Sequence, residues 1–292
     1  MTLDQAVAVP SAVSENYSYC ETLLKEHDRT AWLATLFAPA EHRPALHALG
    51  AFILDVRSIP DKVREPLAGE LRMQWWTDAL EGESRGDVSG HPIAAALTDT
   101  LRRYQVPSTT LTGFLDLERD ALYDETVESL SEFDTRADRA QGALIEARAE
   151  MLAGPLKAKT KKAAALAGRV LAVLDAFAGL TLPRQQALVP LELLRKYGIG
   201  LAELRLRKPN PAVSQALADL RHHADESLEQ LRALRAEIDP EAGPAFLTAS
   251  VAAALLRLSK KSGFQPFSSR LDLPQWRKQW ILWRAAGRNG IA

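Results

Sequence analysis

Between Arg43 and Gly82 the chain threads Arg57, Asp61, Glu65, Glu70, Arg72, Gln74 and Asp78 through an otherwise apolar pattern. So many polar groups do not suit a purely apolar seam. If the chain has a chemical centre, one of its walls is expected here. Asp61 and Glu65 stand four apart, the spacing that sets two carboxylates on one helical face, where they can share a hard cation. Pro60 and Pro66 flank the pair, so helix-start capping and complementarity to the helix dipole compete with that role. Further along, Asp175 is the lone acid in LAVLDAFAGLTLPRQQALVP. It suits either a weak metal contact or a buried hydrogen bond. The histidines carry less: His42 and His47 are five apart and do not stack on one face, and His222 and His223 point apart. The chain has no glycine-rich phosphate loop, no Gly-x-Ser-x-Gly elbow and no His-Glu-x-x-His pair.

The elements that must position these residues read as helices. Leu46, Leu49, Phe52, Ile53 and Val56 have amphipathic spacing, Pro60 interrupts it, and Leu67, Leu71, Trp75 and Leu80 resume it up to Gly82. Further helical segments are expected after Ser89 (a candidate cap, with Pro92 in the first turn), after Ser108 or Thr109, over 130–153 before Gly154-Pro155, and from Pro211 and Pro240 onward. The segment from Lys157 to Leu180 has a basic start that leads into a stretch apolar on nearly all sides and rich in small residues, including Ala163, Ala164, Ala167 and Gly168. Such a helix is expected to be buried against close neighbours. Residues 1–16 read as a loose tail with Pro10 in it, and residues 17–292 as one all-α domain of ten or more helices. No strand-like alternation and no solenoid period is present.

Composition sets the outer bounds. The 292 residues can bury a sizeable core, and 47% hydrophobic with 25% charged residues is ordinary for a soluble domain. A net charge of −1 gives no pull toward nucleic acid, and the single Cys20 rules out an internal disulfide framework. No apolar run approaches the roughly 20 residues of a spanning helix, and residues 1–16 lack the pattern of a secretory signal. A cytoplasmic protein is expected. Near the C-terminus, a helix over about 272–287 puts Trp276, Trp280 and Trp283 on one stripe, with Arg277, Lys278, Arg284 and Arg288 around it. The stripe either packs on the protein's own core or faces a membrane interface or partner, and a membrane-facing stripe implies a peripheral position on the inner membrane. Trp75 and Trp76 are expected in the core or a cavity wall.

Blocks of the chain resemble the squalene/phytoene synthase family. They are YCETLLKEHDRTAWLATLFAPAEHRPALHALGAF, GELRMQWWTDALEG, GHPIAAAL, VPSTTLTGFLDLERDALYD and ALVPLELLRKYGI, in that order, over about residues 17–265. The resemblance implies an all-α isoprenoid-synthase fold with a central cavity. Active members condense two prenyl diphosphates head to head, with Mg²⁺ held on two Asp-x-x-x-Asp motifs of facing helices. This sequence departs from both motifs. Arg57 stands at the first position of the first motif, Asp61 at its last, and Asp55 is too far round the helix to substitute. In the second, the partner four residues after Asp175 is Gly179.

No residue is therefore assigned as a metal ligand and no cofactor is expected. Without the metal a diphosphate leaving group loses stabilisation commonly worth several kcal/mol. Arg43, Arg57, Arg72 and Lys196 remain candidates to hold a phosphate, each with a solvated or ion-paired side chain as the competing role. The chain most resembles a branch with incomplete motifs that includes the mitochondrial assembly factor of respiratory complex I. That branch keeps acids at the Asp55 and Asp61 positions and has an Arg-Met-Gln-aromatic-Trp segment like Arg72–Trp76. The resemblance implies an assembly or scaffold factor with a protein partner, a respiratory complex subunit, and room for a prenyl lipid in the cavity. The alternatives are an active Mg²⁺-dependent prenyltransferase and a prenyl-lipid binding protein.

Overall fold

The computed structural model describes residues 11–63, 65–82, 88–123, 125–182 and 188–291, and every regular element among them is helical. The all-α expectation holds. Of the tail expected over residues 1–16, residues 1–10 lie outside the description, while residues 11–16 are the start of helix α1 (Ser11–His27). Pro10 stands just before the first helical residue, where it need not block a helix. Short α2 (Arg29–Thr35) is capped by Asp28, whose carboxylate accepts from the Ala31 amide at 2.9 Å.

Helix α3 (Arg43–Arg57) buries Ala45, Leu46, Ala48, Leu49, Ala51, Phe52 and Val56, the stripe its spacing predicts. It breaks at Ser58, and the single turn α4 (Ile59–Lys62) leads to α5 (Pro66–Glu81), which Gly82 ends at φ 77°. The buried face of α5 differs from the expected one. Gly69, Met73, Trp76 and Ala79 point inward, while Leu67 and Leu71 are 64% and 65% exposed. Gly69 lets the helix approach Leu122, and the large Met73 and Trp76 side chains bury more apolar surface than the two leucines would.

Helix α6 (Pro92–Tyr104) is capped by His91, whose Nδ1 accepts from the Ala94 amide, so the cap lies two residues after the expected Ser89. Helix α7 (Thr109–Asp120) follows Ser108. The mixed-charge helix expected over 130–153 is α8 (Leu130–Ala137) and α9 (Ala143–Ala153), joined without a break by a π-helical turn at Asp138–Gly142. Helix α10 (Ala158–Gly179) packs against α8, the π turn and α9, as its small residues predict.

Pro190 stands just before α11 (Leu191–Lys196), and residues 183–187 lie outside the description. After α12 (Leu201–Arg205), Asn210 caps α13 (Pro211–Leu234). Contrary to the expectation that no run approaches spanning length, Pro240–Lys260, which contains α14 (Leu247–Leu256), is long and apolar enough by length and composition to span a bilayer, but 67% of its 18-residue apolar window is buried in the fold. It is a core helix that packs on α10 and α13. The last helix, α15 (Gln275–Ala286), closes a second small core by setting Leu282 and Ala285 against Ala34, Leu247, Val251 and Leu255.

Candidate functional site

Arg57 is the last residue of α3, and its guanidinium reaches two other helices. Nε donates to Glu118 Oε1 on α7 at 3.2 Å, and Nη2 donates to Asp175 Oδ2 on α10 at 2.6 Å. The same Oδ2 accepts from Gln141 Nε2, on the π turn, at 2.6 Å. One cation therefore ties together three helices that lie far apart in sequence. The guanidinium also sits 5.8 Å from the Phe114 ring centroid, within reach of a cation–π contact. Burial works against its charge, but the two carboxylates outweigh this and push its pKa up. Burial raises the Glu118 carboxyl above its ordinary value, with Arg57 opposing part of the rise.

The local reasons for this convergence can be read in the backbone. A π turn carries one extra residue and re-aims the side chains that follow. Here it turns Gln141 toward Asp175 and brings Gly142 against α10, where a Cβ built at Gly168 would collide with the Gly142 amide nitrogen. Glu118 continues the buried stripe of Leu111, Phe114 and Leu115, so it enters the interior on the apolar face of α7. A cavity of about 160 Å³ opens beside the cluster. Leu117, Val127, Phe133, Ala172 and Leu188 supply apolar walls, and Asp120, Glu125 and Arg136 also line it. Arg136 pairs with Asp120 at 3.1 Å and with Glu132 at 2.9 Å.

The sequence singled out Arg57 and Asp175 at the two motif positions, and the structure brings them into direct contact. It does not bring Asp61 to them: Asp61 is an exposed residue in the single turn α4, and Glu65 is exposed just before α5. Gly179 closes α10 as a buried residue with no donor side chain. Arg43 donates to the Ala38 and Leu36 carbonyls at 2.9 and 3.0 Å, a brace for the start of α3. Lys196 pairs with Asp219 at 2.7 Å on the surface. Arg72 lines a second cavity, of about 230 Å³, with Asp55, Lys62, Trp75, Trp76 and His91. In it Asp55 accepts from Trp76 Nε1 at 3.1 Å, on the far side of α3 from the Arg57 cluster.

Glu118 and Gln141 escaped the sequence reading. Their signal was available in retrospect: each is a polar residue on the buried stripe of its helix, a placement that needs a partner.

The donor set does not suit Mg²⁺. That ion needs oxygen ligands at about 2.0–2.1 Å in octahedral geometry. Asp175 is the one carboxylate on the second motif helix, its Oδ2 already holds two donors, and the fixed positive charge of Arg57 stands beside it. Among the described residues no group of three or more His, Cys, Asp or Glu side chains is placed to hold a metal.

On α15, Trp276, Trp280 and Trp283 are 68%, 53% and 61% exposed, and the last two stack at 5.1 Å. The core alternative for this stripe is overturned, because Leu282 and Ala285 on the opposite face do the packing. Arg277 and Arg284 are exposed beside the indoles, and Lys278 pairs with Asp272 at 2.6 Å.

Comparison with known proteins places this geometry. The family profile described as squalene/phytoene synthase matches residues 24–283. A relative from Rattus norvegicus, named NADH dehydrogenase (ubiquinone) complex I, assembly factor 6, is 24% identical over 288 residues, covering 94% of this chain and 86% of that protein. Among solved structures, squalene synthase HpnC from Alicyclobacillus acidocaldarius superposes with a TM-score of 0.72 at 20% identity, over 89% of this chain and 98% of that one. A dehydrosqualene synthase bound to a ligand gives 0.75 at 15% identity, over 95% and 97%. At these identities the two structures speak for the fold alone.

Proposed function

The chain belongs to the squalene/phytoene synthase family, and we propose that within it the protein is a non-catalytic assembly factor for respiratory complex I. The observation that carries this reading is the Arg57–Asp175 ion pair. In the family's enzymes the two helices face each other across bound metal; in this chain a guanidinium supplied by one helix meets the carboxylate of the other. The contact stabilises the fold and leaves little to stabilise a departing diphosphate. The rat relative named as a complex I assembly factor, which aligns with nearly the whole chain, supports the assembly role. The cavity beside Arg57, lined by apolar side chains together with charged ones, suits a prenyl lipid as a bound ligand. The exposed tryptophan stripe with its arginines suits a peripheral position on the cytoplasmic face of the membrane that holds the complex.

The test has two arms. Purified protein incubated with farnesyl and geranylgeranyl diphosphates and Mg²⁺ is expected to release no pyrophosphate, in contrast to an authentic synthase. Deleting the gene in the source organism is expected to deplete assembled complex I on native gels, with rescue by the wild-type chain. Steady turnover to a condensed C30 or C40 product would establish the prenyltransferase alternative instead.

A further inference from the structure

Arg148, on α9, poses a charge problem that Arg57 does not. Arg57 is matched by Glu118 and Asp175. Arg148 makes no hydrogen bond and no ion pair with any described residue, and the charges that act on it are Asp28 and, with like sign, Arg57. Asp28 is already committed to capping α2. Burial lowers the Arg148 pKa to about 10, with Arg57 adding to the fall and Asp28 opposing it, so the group is still a cation at neutral pH. Arg148 is half-buried, and a charge drawn partly out of water with no partner of opposite sign costs stability.

A second orphan lies beside it. Thr248 Oγ1 is buried with no hydrogen-bond partner. Arg148 and Thr248 line the same cavity, between α2, α3, α9 and α14, whose other walls include Leu24, Ala31, Ala34, Leu46 and Ala245. Thr35 also borders it, but its hydroxyl is used by the Trp32 carbonyl and His47. No carboxylate lines the space. Its volume is about 30 Å³, where a single water needs roughly 10–15 Å³. The cavity therefore offers a fixed positive charge, a hydroxyl donor, apolar walls and room for a few atoms.

We propose that this cavity is a small-anion site, in which the Arg148 guanidinium and the Thr248 hydroxyl bind one halide-sized monovalent anion. Water would satisfy the hydrogen bonds but leave the charge unbalanced. Phosphate is too large for the space and brings more negative charge than one guanidinium neutralises. The site does not depend on the assembly role, and its failure leaves that role untouched.

The test is thermal unfolding of the full-length protein at constant ionic strength, with sodium gluconate replaced stepwise by chloride, bromide or formate. Chloride and bromide are expected to raise Tm saturably by about 3–6 °C. Arg148→Met, which keeps bulk but removes the charge, is expected to abolish the dependence. Should that variant fail to fold, Thr248→Val is expected to move the half-saturating halide concentration upward about tenfold, the size of one lost hydrogen bond to a charged group. Crystals grown in bromide should show an anomalous peak within hydrogen-bond distance of both side chains. A halide-independent Tm, a peak that is only water, or Arg148 turned onto Asp28 as a direct ion pair would each overturn the proposal.

Discussion

On the proposed non-catalytic reading, Arg57 is the residue at which this chain departs from the family's enzymes. One residue converts a pair of facing acidic helices into a pair joined by a salt bridge. Its removal should be felt as stability. In Arg57→Met, Glu118 and Asp175 would face each other in the interior with no counter-charge. Breaking a fully buried pair typically removes ~3–5 kcal/mol. Arg57 keeps 37% of its side chain exposed, so solvent screening should reduce the loss to about 2–3 kcal/mol. Urea denaturation measures it directly, and Arg57→Met combined with Asp175→Leu should recover part of the loss by removing one stranded charge. An unchanged midpoint in the single variant would mean that the ion pair does not hold the three helices.

At the scale of elements, the π turn and the glycines opposite it set the site. Asp138–Gly142 crosses α10 so closely that Gly168 has no room for a side chain, and Gly113 on α7 lies against the Arg139 carbonyl with equally little space. These approaches let Arg57, Glu118, Gln141 and Asp175 converge from four elements. Gly168→Ala is expected to force α10 away from the π turn and destabilise the protein by about 2–3 kcal/mol, as overpacking does in a rigid interior. Because the obstacle is backbone, it cannot rotate aside. Gly142→Ala meets the Ala165 Cα at 3.1 Å and should be milder. Comparing the two midpoints tests whether backbone contact controls the crossing.

For the molecule as a whole, α15 presents its inner face to the second core and its tryptophans outward. Exposed indoles beside arginines prefer the headgroup region of an anionic bilayer. The purified protein should sediment with phosphatidylglycerol-containing vesicles and less with neutral ones. The triple variant Trp276→Ala, Trp280→Ala, Trp283→Ala should lose most of this binding. Its Tm should stay within about 2 °C, since exposed side chains away from the core rarely matter to stability. Equal sedimentation of the triple variant would assign the surface to another partner.

The all-α architecture, the buried α10 and the stripe on α3 were legible in the sequence, because helical periodicity and small-residue runs are local properties of the chain. So were the two altered motif positions, Arg57 and Asp175, since each was found by counting from neighbouring residues. The sequence was silent on their contact, which joins residues 118 positions apart and depends on a π turn that no periodicity announces. It also misread α5, where residue size and the approach permitted by Gly69 outweighed the leucine spacing. The orientation of the tryptophan stripe, the roles of Glu118 and Gln141 and the orphaned charge of Arg148 were likewise decided only by the tertiary structure. Each depends on what stands opposite the side chain in space, and a linear sequence does not carry that information.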